Sequence, residues 1–247
     1  PAAFYCALLN SQPMGFYSPS QLIQDARRHG IAVLPVDINH SLYENSLEAI
    51  TGENGEKLLA IRLGFCRIAG FNAEKAKAVE QVRGTTPFDS IATLARRTGL
   101  SNADLQVLAS ADALHSLSGN RHQARWAAAA VQPHSDLLEH SSHLPQDALL
   151  MPAPTLAKEV LTDYQTQGHS LRAHPMALLR NEPIFARCVR QSELINQRHK
   201  GLVQVAGLVS SRQKPGTAAG VMFMTLEDET GNINVIVWPS LVEQQRK

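Results

Sequence analysis

Ile68-Ala69-Gly70-Phe71-Asn72 runs directly into Ala73-Glu74-Lys75-Ala76-Lys77-Ala78-Val79, and the reading of this stretch decides the fold. Ala76 and Val79 sit at helical spacing, so Ala73 to Arg83 reads as a helix. Gly70 suits a tight turn before it. Asn72 stands where a second glycine would give the freest turn, and asparagine tolerates positive φ better than most residues. Together they read as a helix–hairpin–helix element. In such an element backbone N–H groups and the following helix N-terminus approach a phosphate, with Lys75 and Lys77 as added contacts. The alternative is an ordinary αα-hairpin in a core.

A second turn of the same kind follows. Thr98-Gly99-Leu100-Ser101-Asn102 leads into a helix from Asn102 to Ala109, where Ser101 either caps that helix or offers a phosphate its hydroxyl. Phe88 to Thr98 and Arg121 to Val131 complete a helical block over 64–130. Two hairpins in tandem would bind nucleic acid through phosphates and so largely without sequence preference.

Outward from this block the pattern changes. Toward the N-terminus, Phe4 to Asn10 reads as a helix, Ser18-Pro19-Ser20 as a capped helix start, and His29-Gly30 as its stop. Ile31 to Val36, Leu47 to Ile50 and Lys57 to Leu63 read as strands, the last two joined across Thr51–Gly55. Toward the C-terminus, Gln132 to Pro154 is linker-like, and Gln132 followed by Leu137-Leu138 bears a faint likeness to clamp-docking peptides. Leu156 to Thr166 returns to helix, and Leu171 to Leu179 is a further short one complicated by Pro175. Leu202 to Ser210, Val221 to Glu227 and Ile233 to Trp238 read as three strands. The basic loop Ser211–Ala219 between the first two carries Arg212 and Lys214. Such strands suggest the start of a five-stranded oligonucleotide-binding (OB) barrel, with Arg212 and Lys214 bordering its binding face. Phe223 and Trp238 read either as base-stacking platforms or as core.

The expected fold class is therefore a multi-module α+β chain. Its parts are 1–39, a β connector at 40–63, the tandem helix–hairpin–helix module at 64–130, a linker at 131–155, a helical connector at 156–199 and a truncated OB-fold at 200–247.

The 247 residues carry 23 basic and 22 acidic side chains, a net charge of +1, with 44% hydrophobic and 5% aromatic residues. The average hides blocks: 61–130 carries +4 and 166–214 carries +6, offset by acidic stretches elsewhere. Both positive blocks fall on or beside the nucleic-acid modules, although charge blocks are often plain solvated surface. Cys6, Cys66 and Cys188 are odd in number and far apart, with no Cys-x-x-Cys, which points to reduced cytoplasm and no structural zinc. No apolar run approaches the roughly 18 residues of a membrane helix. There is no P-loop, no nucleophile elbow and no Asp-x-Asp. Glu227-Asp228-Glu229 fits turn chemistry, and His134, His140 and His143 fit no zinc spacing. The residues thus offer no catalytic, cofactor or metal site. The absent initiator Met and the helix at the start suggest a piece of a larger protein.

Phe4-Tyr5-Cys6-Ala7-Leu8-Leu9-Asn10-Ser11-Gln12-Pro13-Met14-Gly15-Phe16-Tyr17, Gln24-Asp25-Ala26-Arg27-Arg28-His29-Gly30 and Pro35-Val36-Asp37-Ile38-Asn39 resemble the end of the fingers domain of the bacterial C-family DNA polymerases, the α-subunit type of polymerase III. Leu63-Gly64-Phe65-Cys66-Arg67-Ile68-Ala69-Gly70 is similar to the approach to that family's tandem hairpins. Thr225-Leu226-Glu227-Asp228-Glu229-Thr230-Gly231 is similar to a strand and turn of its OB domain. Asn10–Tyr17 and Ser170-Leu171-Arg172-Ala173-His174-Pro175 resemble most the error-prone second α-subunit (the ImuC type) of damage-induced translesion synthesis.

The resemblance implies a parent enzyme that extends a primer with Mg²⁺. The metal-binding palm would lie N-terminal to this chain, so no catalytic residue and no cofactor fall here. Expected partners are duplex DNA at the hairpins and single-stranded DNA at the OB segment, with a sliding clamp or accessory mutagenesis proteins as further candidates. Gly70, Phe71, Asn72, Lys75, Lys77, Gly99, Ser101, Arg212 and Lys214 are the candidate DNA contacts. The alternative is a non-enzymatic hairpin and OB module of a repair or recombination factor.

Overall fold

The computed structural model describes the chain apart from Phe16, Glu53, residues 132–150 and residues 246–247. The likeness at Gln132–Leu138 and the three linker histidines lie outside the described residues. The chain divides into two compact units, Pro1–Leu171 and Arg172–Lys247. The division cuts through the stretch 156–199 that the sequence reads as one connector.

The first unit starts with α1 (Ala2–Asn10) and α2 (Pro19–Arg28). Ser18 begins α2 with a reciprocal cap: its hydroxyl accepts from the Gln21 amide, and the Gln21 side chain accepts from the Ser18 amide. A three-stranded sheet follows, made of β1 (Val33–Leu34), β2 (Ser46–Thr51) and β3 (Lys57–Arg62) in the order β1-β3-β2. β2 and β3 form the expected antiparallel hairpin, while β1 is shorter than the sequence suggests and pairs with β3 in parallel, Val33 opposite Ile61.

Helices α3 (Ala73–Arg83), α4 (Ile91–Thr98), α5 (Asn102–Ser110), α6 (His115–Ser118), α7 (Arg121–Ala130) and α8 (Leu156–Gln167) complete this unit. One continuous apolar core runs from Ala2 and Leu9 through Ile61, Leu63 and Phe65 to Leu94, Leu105, Leu108, Leu114 and Ala128. The segments that the sequence separates at 39 and 63 therefore share a single core.

Polar ties hold the sheet to the hairpins. Asn45 accepts from the Gly64 amide (3.1 Å) and donates its own amide to Asn10 (2.9 Å). Buried Arg83 donates to the carbonyls of Ile38 (2.7 Å) and Ser41 (2.8 Å). Gly64 is required by space: a Cβ there would come within 2.4 Å of the Tyr43 and Glu44 backbone.

Buried ion pairs and backbone ties hold α8. Glu159, Val160 and Asp163 face inward from α8, and the guanidinium of Arg121, 3% exposed, bonds both carboxylates. Ser170 donates a further hydrogen bond to Asp163 (2.7 Å). α8 also accepts the Ala69 amide on Thr166 (2.8 Å), and its Gln167 donates to the Ala111 carbonyl (2.9 Å).

The second unit holds α9 (Pro175–Leu179), a parallel pair β4 (Cys188–Val189) and β5 (Gln204–Val205), an antiparallel meander β6 (Leu208–Gln213), β7 (Met222–Glu227) and β8 (Asn232–Val237), and α10 (Pro239–Gln244). Pro175 opens α9 at its first turn, where its missing N–H costs nothing, so it starts the helix instead of breaking it. The expected first strand is displaced toward the C-terminus, with a register shift between Val209 and Ser211. The three long strands make an open sheet.

Replacing Arg121 with Ala leaves two buried carboxylates without their cation, so the first unit should lose about 3–5 kcal/mol. Arg121→Lys should recover only part of this, because an ammonium lacks the planar fork that spans two carboxylates. Urea denaturation of the variants measures both; an unchanged midpoint for Arg121→Ala would refute the assigned role.

Candidate nucleic-acid interface

In the first hairpin a single 3₁₀ turn, Phe65–Arg67, precedes the bend, so this element lacks the full first helix that the sequence reading supposes. Gly70 sits at φ +80°, and nothing lies within 4 Å of where its Cβ would be. Conformation and not crowding is what calls for glycine here. Asn72 differs from expectation. It does not take positive φ; it is the N-cap of α3 at φ −72°, its side chain accepting from the amides of Glu74 (2.7 Å) and Lys75 (3.4 Å). Phe71 is a core residue, 8% exposed, its ring 5.7 Å from that of Phe65. Only its backbone remains for a DNA contact.

The second hairpin is the complete one, with helices on both sides. Gly99 ends α4 in the left-handed region at φ +68°, and buried Leu100 anchors the turn. Ser101 caps α5: its hydroxyl accepts from the Asp104 amide (3.3 Å) and donates to the Asp104 carboxylate (2.6 Å).

The two turns are tied together. Lys75 Nζ lies 2.7 and 2.8 Å from the two oxygens of Asp104. Lys75 and Asp104 each stand in the first turn of their helix, so this pair sets the N-termini of α3 and α5 side by side. Lys77 reaches back over the Tyr43 ring, 5.7 Å from its centre. Among the described residues, the amides of Gly70 and Ala73 at one turn, and of Asn102 and Ala103 at the other, have no acceptor. Paired helix N-termini with unpaired donors attract an anion.

Burial by itself would raise the Asp104 carboxyl, but hydrogen bonds from Lys75 and Ser101 outweigh it and hold the group below its ordinary range. The local charge is thus more balanced than the lysines alone suggest.

In the second unit Arg212 lies on β6 and not in the following loop; its Nε is 3.2 Å from Met222 Sδ. Lys214 follows the strand and is exposed. Phe223 on β7 is 42% exposed and pairs in register with Ile236 of β8, while Trp238 caps α10 at 64% exposure, so neither is core.

The Glu227–Glu229 carboxylates are spent on the turn. Asp228 accepts from the Thr230 amide and hydroxyl and from the Gly231 amide, Glu229 pairs with Arg180 and Arg190, and Glu227 meets His174. Among the described residues no three His, Cys, Asp or Glu side chains converge to hold a metal ion.

Residues 30–124 match the helix-hairpin-helix motif family, and residues 203–247 match the OB-fold nucleic acid binding domain. The chain is thus a multi-module α+β protein that joins a helix-hairpin-helix segment to an OB-fold segment. Over all 247 residues it is 59% identical to the error-prone DNA polymerase of Teredinibacter turnerae, 54% to that of Saccharophagus degradans and 46% to that of Pseudomonas aeruginosa. Each alignment takes in 24% of the relative, so the chain spans about a quarter of the length of the curated relatives it matches. No helix among the described residues is long and apolar enough to cross a membrane.

Because the Asp104 carboxyl is depressed in the folded state, its contribution to stability is present above the unfolded value, about pH 4, and is lost as pH falls through the folded one. Asp104→Asn should therefore lose less stability than the parent between pH 7 and pH 3. Denaturation curves at the two pH values test this; equal losses would contradict it.

Proposed function

We propose that this chain is the DNA-holding part of an error-prone, DNA-directed DNA polymerase that acts in damage-induced translesion synthesis in the cytoplasm. The observation that carries the reading is similarity over all 247 residues of the chain to part of proteins of that name, across both modules. In this reading the two hairpins grip duplex DNA through the unpaired amides at Gly70, Ala73, Asn102 and Ala103. Gly99 and Ser101 shape the second turn, Lys75 and Lys77 add positive charge, and Asn72 holds the first turn in form.

The OB segment tracks a single strand through Arg212, Lys214 and the exposed Phe223. Catalysis belongs to a palm elsewhere in the full protein, where Mg²⁺ would be bound. Accessory mutagenesis proteins or a sliding clamp would recruit the enzyme.

Two outcomes are expected of the 247-residue chain. It should bind duplex DNA with an affinity that falls steeply with salt, as phosphate contacts require. Gly70→Ala should weaken that binding several-fold, because a left-handed turn costs an L-residue about 1–2 kcal/mol. Fluorescence anisotropy of a labelled duplex across a salt series measures both, and salt-independent binding or an unchanged Gly70→Ala affinity in a folded variant would refute the hairpin contact. Primer extension by the chain alone should be undetectable; extension with Mg²⁺ and nucleotides would overturn the placement of the palm outside it.

A further inference from the structure

Helix α7 carries His122, Arg125, Trp126 and Ala129 at positions i, i+3, i+4 and i+7, which share one face. With Gln106 of α5 and Met151 they line a surface cavity of about 390 Å³. Trp126 is 51% exposed there.

The cavity has a fixed wall. The Met151 amide donates to the Gln123 side chain (3.1 Å), the Asn120 side chain donates to the Met151 carbonyl (3.4 Å), and His122 Nδ1 lies 2.9 Å from the Pro152 carbonyl. A ring nitrogen facing a carbonyl oxygen must be the donor, so neutral His122 keeps Nε2 as an acceptor. Gln106 donates its amide hydrogen to the Arg125 carbonyl (2.8 Å), which orients the side chain and leaves its oxygen to accept.

The rim is cationic. α7 contains no acidic residue, and Arg125 has no ion-pair partner among the described residues. Its C-terminal end lies against the second hairpin, where the Asn102 side chain donates to the Val131 carbonyl (2.8 Å). The cavity therefore continues along the same α5 and α7 pair from the unpaired amides at Asn102 and Ala103.

We propose that this cavity takes one unstacked base of a single-stranded nucleic acid, with the ring on the Trp126 indole and a backbone phosphate against Arg125. The proposal rests on the nucleic-acid reading above and adds a binding site away from both hairpin turns. An exposed indole, a neighbouring guanidinium and two oriented acceptors able to take a base's amino hydrogens match a base better than a peptide. A docked helix would need several apolar pockets in a row, whereas these residues line one open surface site.

The chain holds two tryptophans, Trp126 and Trp238, so Trp238→Phe leaves Trp126 as the sole indole emitter. A labelled twelve-residue oligodeoxycytidylate, whose bases carry an amino group, is titrated into this variant, with anisotropy of the label and Trp126 emission read together. Binding should quench Trp126. Trp126→Ala should weaken single-strand affinity on the order of 5- to 150-fold, with Trp126→Phe keeping part of it, and Arg125→Ala should lower the salt slope by about 0.7. Circular dichroism checks that each variant folds.

Oligonucleotide bound without quenching of Trp126 rejects this cavity and leaves the nucleic-acid reading standing. An absence of binding by anisotropy to single strand and duplex alike rejects both. Quenching by a synthetic peptide of residues 132–150, and not by the oligonucleotide, overturns the base as occupant.

Discussion

The first amides of an α-helix have no acceptor within the helix, and this chain leaves several of them unpaired at two turns held next to each other. The Lys75–Asp104 ion pair, which joins the first turn of α3 to the first turn of α5, sets that spacing. The core fixes the rest. Leu94, Leu105 and Leu108 are fully buried, and Phe71 and Leu100 pin each turn from beneath. The donors therefore face outward because the side chains next to them face inward. A phosphate backbone fits such donors without regard to base identity.

The hairpins depend on parts of the chain far from them in sequence. β1 to β3 and α1 share their core, and Arg83 and Asn45 stitch the sheet to the helices. α8 returns from beyond the linker to place two carboxylates on Arg121 and to accept the Ala69 amide, one residue before Gly70. Burying a charged triad is costly, and such a triad is strongly held only when all its members are present. Its effect here is to bind α8 to the module that presents the turns.

Much of the local structure was legible in the residues. α3 occupies Ala73–Arg83 as the spacing of Ala76 and Val79 indicates, and Gly99 and Ser101 mark the end of one helix and the start of the next. These features depend on neighbours a few positions away, as capping and helical periodicity do. The roles of the polar side chains were harder to read. Lys75 carried no sign that Asp104, 29 residues on, would engage it. Asn72 satisfies its helix as a cap in place of adopting a glycine-like turn. Arg212 moved from loop to strand because β6 extends to Gln213. One missed feature did leave a trace: Glu159 and Asp163 sit four apart around Val160, a pattern that asks for a buried cation.

The sequence by itself determined the order of modules, the two turns and their glycines, and the charge that gathers on the basic blocks, since all of these follow from composition and short-range spacing. Tertiary structure alone decided which cations stay available. Lys75 is paired, Lys77 lies over Tyr43, Arg121 is buried and Arg125 is left beside an exposed indole. The reason is physical: a charge's availability depends on what is brought within about 4 Å of it in space, and sequence distance does not measure that.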